Sequence, residues 1–182
     1  MKRRDFIQSS LAATVLLGQR FSWAGTAESP ALPLEAGQVQ DQGGWGLDSQ
    51  NMEIKGAGCL HAPCIGKAVG GAVGEVRVPE TGTYRLWVRT RDWVAPWKKP
   101  DTPKTKRADG TPGIFNVLLD GGSVGTFGNE GEEWHWQDGG TVELDELNSR
   151  IALHDLTGFA GRCAGLFLTK DQKLIPPNGG EE

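Results

Sequence analysis

The sequence lacks the motifs that mark most enzyme classes. No G-x-G-x-x-G follows a strand pattern anywhere in the 182 residues, and no phosphate-loop motif occurs. The glycine clusters at 70–74 and 121–125 have the wrong spacing for either, so nucleotide and flavin chemistry has no visible seat on this chain. No nucleophile elbow is recognised, which sets serine-hydrolase chemistry aside. A cysteine nucleophile would need a histidine beside it, and nothing in the sequence places such a pair together. Metal-ligand spacings are missing too: C-x-x-C, H-x-H and H-E-x-x-H are absent among three cysteines and three histidines. The neighbours His154 and Asp155 would point to opposite faces of a strand. Long apolar runs are also lacking. "LAATVLLG", from Leu11 to Gly18, is too short for a bilayer, which takes about 20 apolar residues. Positive charge is scarce, with a formal net charge of −4. Four of the 19 lysines and arginines are N-terminal: Lys2, Arg3, Arg4 and Arg20 stand against Asp5 in residues 1–27. An acidic surface excludes nucleic acid and anionic membranes as partners.

What is present begins with that N-terminus. A basic start, a short apolar middle and small residues before a polar stretch make a signal peptide. The paired Arg3 and Arg4, followed by Asp5 and Phe6, resemble a twin-arginine export signal. Cleavage is expected after Ala24 or Ala27, and no cysteine lies nearby to carry a lipid anchor. The expected organisation is a leader over 1–27, one domain over 28–171 and a flexible tail over 172–182. The mature protein is expected in the periplasm or outside the cell, without stable membrane insertion. An oxidising compartment permits a disulfide among Cys59, Cys64 and Cys163. The odd count leaves at least one thiol free or intermolecular, and the pairing stays open.

Beyond the leader no stretch sustains helical periodicity. Short alternating runs between turn residues predict an all-β domain. "TYRLWVRT" (83–90) is the clearest strand: Tyr84, Leu86 and Val88 share one face, and Arg85, Trp87 and Arg89 the other. Further strands are predicted at 73–78, 114–119, 123–127, 140–144, 150–156 and 164–169. "DGG" (120–122) supplies a hairpin turn. "LPLEAGQVQ" (32–40) and "GGWGLDSQ" (43–50) are expected to pair with each other. This pattern predicts a single jelly-roll β-sandwich. The insert at 91–113 holds four prolines and many lysines. It is read as an exposed loop, and its length makes it a functional candidate.

The tryptophans are the strongest chemical signal, with Trp45, Trp87, Trp93, Trp97, Trp134 and Trp136 outside the leader. Trp93 and Trp97 fall in the polar insert, and Trp87 shares a face with two arginines. Exposed rings beside Arg and Asp suit sugar recognition, because a pyranose stacks its apolar face on the ring while polar side chains bind its hydroxyls. The candidate ligand-binding residues are therefore Trp87, Arg89, Arg91, Asp92, Trp93, Trp97, Trp134, His135, Trp136 and Asp138. "WHWQDGG" (134–140) is read as a packed corner next to the site, and "RDWVAPW" (91–97) as the exposed platform. Two other readings stand beside this one: a metal-assisted enzyme, and an interaction domain with every tryptophan buried.

"PLEAGQVQDQGGW", "YRLWVRTRDWVAPW", "EWHWQDGG" and "ALHDLTGFAGRC" together carry a resemblance over nearly all of residues 32–169. The chain resembles a β-sandwich domain attached to bacterial FAD-dependent oxidoreductases of polysaccharide-degrading organisms, some of them xanthan lyase-like. That domain is similar to galactose-binding-type carbohydrate-binding modules. The resemblance implies an exported, non-catalytic module without a redox cofactor, binding a polysaccharide or oligosaccharide. The alternative it implies is an accessory domain or subunit serving a separate catalytic protein, an FAD-dependent oxidoreductase or a metal-dependent polysaccharide-degrading enzyme. Related modules hold structural calcium with an E-A-E pair and an aspartate near the last strand. Here Glu35-Ala36-Gly37 keeps one acid, and Ala164 and Gly165 stand where the aspartate is expected. Arg162 is expected to pair with Asp138 or Asp155.

Overall fold

The computed structural model describes residues 31–49, 58–98, 101 and 112–177. The expected leader, most of the 91–113 insert and the last residues of the tail lie outside the described residues.

Eleven strands form three antiparallel sheets among the described residues. The first sheet runs β1 (Ala31–Glu35), β11 (Gly165–Thr169), β5 (Gly82–Thr90), β8 (His135–Leu144). The second runs β4 (Ala72–Arg77), β9 (Asn148–Asp155), β6 (Phe115–Leu119), β7 (Gly122–Phe127). A small third sheet of β10 (Arg162–Cys163), β3 (Cys59–His61) and β2 (Gly46–Asp48) closes one side.

The core follows from alternation. Tyr84, Leu86 and Val88 of β5 join Leu166 and Leu168 of β11, Val142 and Leu144 of β8, Val76 of β4, Ile151 and Leu153 of β9, and Phe115 and Val117 of β6 in one buried cluster. Side chains spaced two apart face one way, so each sheet gives the other a continuous apolar layer. Trp45 belongs to this core and packs edge-on against Phe115, with centroids 5.6 Å apart. The β6–β7 hairpin turns on Asp120 (φ 49°) and Gly121 (φ 87°), the two left-handed residues that a tight hairpin favours.

Three features differ from the sequence reading. First, β1 pairs with β11, Glu35 opposite Gly165, and β2 pairs with β3, so the two N-terminal segments do not pair with each other. Alternation reports a strand's faces, not its partner. Second, β3 lies inside "GCLHAPCIG", whose glycines and proline hide a three-residue strand. Third, β8 starts at His135, upstream of the expected 140. The Gly139-Gly140 pair sits within it where the register with β5 shifts between Arg85 and Trp87. Gly140 takes φ 75° there, and such an irregularity reads as a turn in sequence.

Candidate functional site

Beyond Thr90 the chain leaves β5, and Asp92 decides where it goes. Asp92 is buried, 3% exposed. Its Oδ1 accepts the Val94 N–H at 3.1 Å, an Asx-type turn, and its Oδ2 takes the Lys98 ammonium at 2.5 Å. Its own N–H donates to the carbonyls of Glu130 and Gly131. The segment is thereby tied to its own helical turn, Ala95–Lys98, and to the loop before β8. Trp93 and Trp97 are four residues apart across that turn and meet edge-to-face, centroids 5.3 Å apart.

A second carboxylate builds the opposing wall. Asp155, fully buried at the end of β9, accepts the N–H groups of Val69, Thr157 and Gly158 at 3.0–3.1 Å. This binds the 63–69 loop to the turn after β9. Gly158 takes φ 66°, and a Cβ there would lie 2.1 Å from the Lys67 carbonyl oxygen, so only glycine fits. The turn delivers Phe159, which stacks on Trp93 at 5.5 Å with ring planes 23° apart. It also delivers Arg162, whose Cζ lies 5.3 Å from the Trp93 ring. Gly113 passes so close to Trp93 that a Cβ there would come within 2.7 Å of the indole. Trp97 is 39% exposed and Phe159 38%, so the cluster opens to solvent on that side.

Arg162 donates to the Ala160 carbonyl, and neither Asp138 nor Asp155 pairs with it, contrary to expectation. Asp138 is taken by Arg85, and both Asp155 oxygens are spent on backbone N–H groups. Burial, with the Arg91 charge acting in the same sense and the Cys59 thiol partly opposing, holds Arg162 below the usual guanidinium range.

The other candidates lie on the outer face of the first sheet. Trp87 is 7% exposed, with the Arg85 guanidinium 5.1 Å from its ring. Trp136 packs against Phe167, with Arg89 6.0 Å from its ring. This face is roofed by the chain's own C-terminal segment. The Gln172 carbonyl accepts from Arg85 at 2.5 Å and the Pro177 carbonyl from the Trp136 N–H at 3.0 Å. Asp138 binds Arg85, which holds its carboxyl below the usual carboxylate range. His135 Nδ1 lies 3.1 Å from the Glu133 carbonyl, and Trp134 is half-buried beside it. The inward side chain of this run is Gln137, which binds the Gly128 N–H and the Asn129 side chain.

The structure thus gathers Arg91, Asp92, Trp93 and Trp97 at one end, and Trp87, Arg89, Trp136 and Asp138 under the C-terminal roof. Phe159 and Arg162 were missed as site residues, although "HDLTGFAGRC" had drawn notice as a motif. Gly121-Gly122-Ser123-Val124-Gly125 does spell the G-x-S-x-G of a nucleophile elbow, which the sequence reading overlooked. Ser123 is exposed on β7 within a hairpin, whereas an elbow needs a strand-to-helix turn.

Calcium does not fit the residues at Glu35. Its backbone N–H donates to Gln38 Oε1 at 2.9 Å, capping the turn Ala36–Gln38, and Gly165 faces it across the strand pair. Among the described residues no three or more His, Cys, Asp or Glu converge, and calcium takes 6–8 oxygen ligands. Cys64 is exposed and Cys163 buried, both as free thiols, while Cys59 is buried on β3. Burial pushes the Cys163 thiol up to about 12, so it stays protonated and inert at neutral pH.

No protein-family model and no curated protein matches the chain. Solved structures do match in fold. A family 35 carbohydrate-binding module from Clostridium thermocellum aligns at TM-score 0.53 and 16% identity, over 76% of this chain and 97% of that one. The CBM36-1 domain of a multidomain xylanase from the hindgut metagenome of Trinervitermes trinervoides aligns at 0.53 and 11%, over 80% and 100%. The GH26-CBM35 β-(1,4)-mannanase of Podospora anserina aligns at 0.54 and 16%, over 81% of this chain but only 29% of the mannanase. The chain has the jelly-roll β-sandwich fold of these modules, as its sequence led one to expect.

Proposed function

We propose that this chain is an exported, non-catalytic module that binds a polysaccharide or oligosaccharide at the end of the sandwich where Trp93, Trp97 and Phe159 meet. The observation that carries this reading is the open aromatic cluster on a segment locked by Asp92. Trp97 is exposed and meets Trp93 edge-to-face, Phe159 stacks on Trp93, and fixed rings lose little conformational entropy when a sugar stacks on them. Arg162 stands beside the Trp93 ring as a donor for ring oxygens and hydroxyls. The fold shared with carbohydrate-binding modules is consistent with this use, though fold by itself does not assign function. Export through the twin-arginine leader is part of the proposal. Fractionation of cells making the full chain, with and without Arg3→Lys and Arg4→Lys, tests that part.

The binding test is a polysaccharide panel titrated with the mature domain, Trp97→Ala and Trp134→Ala. Loss of affinity in the first variant alone is the expected result. Unchanged affinity in Trp97→Ala, with the domain folded, removes the 91–98 segment from the site.

A further inference from the structure

The outer face of the first sheet presents donors, and the segment lying on it presents acceptors. Arg85 donates to the Gln172 carbonyl at 2.5 Å, and the Trp136 indole to the Pro177 carbonyl at 3.0 Å. The Trp87 indole N–H, on the same face, is buried with no acceptor. Residues 174–177 form neither strand nor helix, and Pro176 is buried between the exposed Ile175 and Pro177. Neither proline has an N–H, so this stretch offers carbonyls without competing donors and does not pair as an ordinary strand. A proline beside a carbonyl that takes an indole N–H is the chemistry by which aromatic-lined grooves hold proline-bearing segments. The aromatic pair here is Trp136 against Phe167, centroids 5.9 Å apart. The chain's own segment fits this face incompletely. Its polar side chains bond locally: Asp171 Oδ1 accepts the Lys173 N–H, and the Gln172 amide donates to the Lys170 carbonyl. The two bonds to the sheet face run through backbone carbonyls, which any residue supplies. Ile175 stays 70% exposed, and the Trp87 donor stays unspent.

We infer that the outer face of the first sheet is a docking site for an extended, proline-bearing segment of another protein, and that the chain's own C-terminal segment holds it closed. The self-occupant shows the chemistry that the face accepts: a proline ring out of water and carbonyls within reach of Arg85 and the Trp136 indole. A foreign segment displaces it by offering the same acceptors with a better fit. This site does not depend on the sugar-binding reading, which concerns the Trp97 cluster.

The test follows the fluorescence anisotropy of a labelled peptide, DQKLIPPN (the sequence of residues 171–178), titrated with the full chain, beside a form of the peptide with both prolines replaced by alanine. A tethered segment competes at an effective concentration of about a millimolar where its linker is short, so the unaltered chain is expected to take the peptide weakly. Pro176→Gly loosens the chain's own segment and leaves the face intact. It is expected to bind the peptide about tenfold or more tighter than the unaltered chain does. Trp136→Phe, which keeps a ring and loses the N–H, should weaken that binding about fivefold in the same background. Melting temperatures report whether each variant is folded. A folded Pro176→Gly chain that binds no tighter than the unaltered one overturns the inference. Equal binding of the proline and alanine peptides to any folded form, the unaltered chain included, overturns it as well. A concentration-dependent dimer of the unaltered chain in sedimentation, dissolved by the peptide, would name a second copy as the occupant and overturn the assignment to another protein.

Discussion

Two pairs of tryptophans sit on one small sandwich and face different surroundings. Trp87 and Trp136 lie on the outer face of the first sheet, where the C-terminal segment meets Arg85 and the Trp136 indole and Arg85 pairs with Asp138, although the Trp87 indole N–H is buried without an acceptor. Trp93 and Trp97 lie beyond the end of β5, where the Trp97 ring is exposed and the Arg162 guanidinium beside Trp93 pairs with no carboxylate among the described residues. The residue types are nearly the same in both places: paired indoles, a phenylalanine and arginines. What differs is the exposure of the rings and, among the described residues, the carboxylate that Arg85 has and Arg162 does not. An unpartnered indole N–H occurs in both places, at Trp87 and at Trp93, so exposure of the ring is what separates them.

The comparison can be broken most severely at Asp155. Its carboxylate accepts three buried or half-buried backbone N–H groups, and the turn it holds supplies Phe159 and Arg162. Asp155→Ala is expected to cost about 4 kcal/mol, each orphaned donor contributing about 1–3 kcal/mol. Urea unfolding measures it, and a cost near zero would show that the turn holds itself. Next comes the roof. Ending the chain after Lys170 removes the carbonyls that meet Arg85 and Trp136, and should destabilise the domain by about 2 kcal/mol through lost apolar cover. Iodide should then quench additional tryptophan fluorescence, making the covered pair resemble the open one. Trp136 is only half-buried, so Trp136→Ala is a smaller step of about 1–2 kcal/mol, read by thermal melting, with glycan affinity unchanged.

The smallest effect is in pH. The Arg85 hydrogen bond depresses the Asp138 carboxyl in the folded state, so the pair stabilises the domain above the carboxyl's unfolded pKa. That contribution fades as pH falls through the folded value. Solvent reaches both groups, so screening keeps it small. Asp138→Asn should therefore flatten the acid limb of a stability–pH curve slightly, and an unaltered limb would show the pair to be idle.

How far the sequence reaches is clear from β5. Its alternation correctly placed Tyr84, Leu86 and Val88 in the core. The same alternation put Trp87 on the polar face, and it does lie there, but it is buried, with Arg85 over its ring and Gln172, about ninety positions away, holding that guanidinium. No local pattern reports such a cover. Likewise "WHWQDGG" showed that one side of a strand turns inward without showing that Gln137 is the residue on it. The open site was half legible. Trp93 and Trp97 stood out because rings in a lysine-rich, proline-rich insert have no helical or strand face to fill. Phe159 and Arg162 were hidden because their contact with Trp93 closes a loop of more than sixty residues and depends on a left-handed turn at Gly158.

One measurement bears on the division between covered and open tryptophans most directly: the affinity of Trp97→Ala, beside the unaltered chain, for the glycan that the panel shows to bind best. The expected result is a loss of about 1–3 kcal/mol, a magnitude borrowed from aromatic stacking on nucleic-acid bases, with the melting temperature nearly unmoved. Full affinity in Trp97→Ala, with loss in Trp136→Ala instead, would contradict the account and move the site under the C-terminal roof.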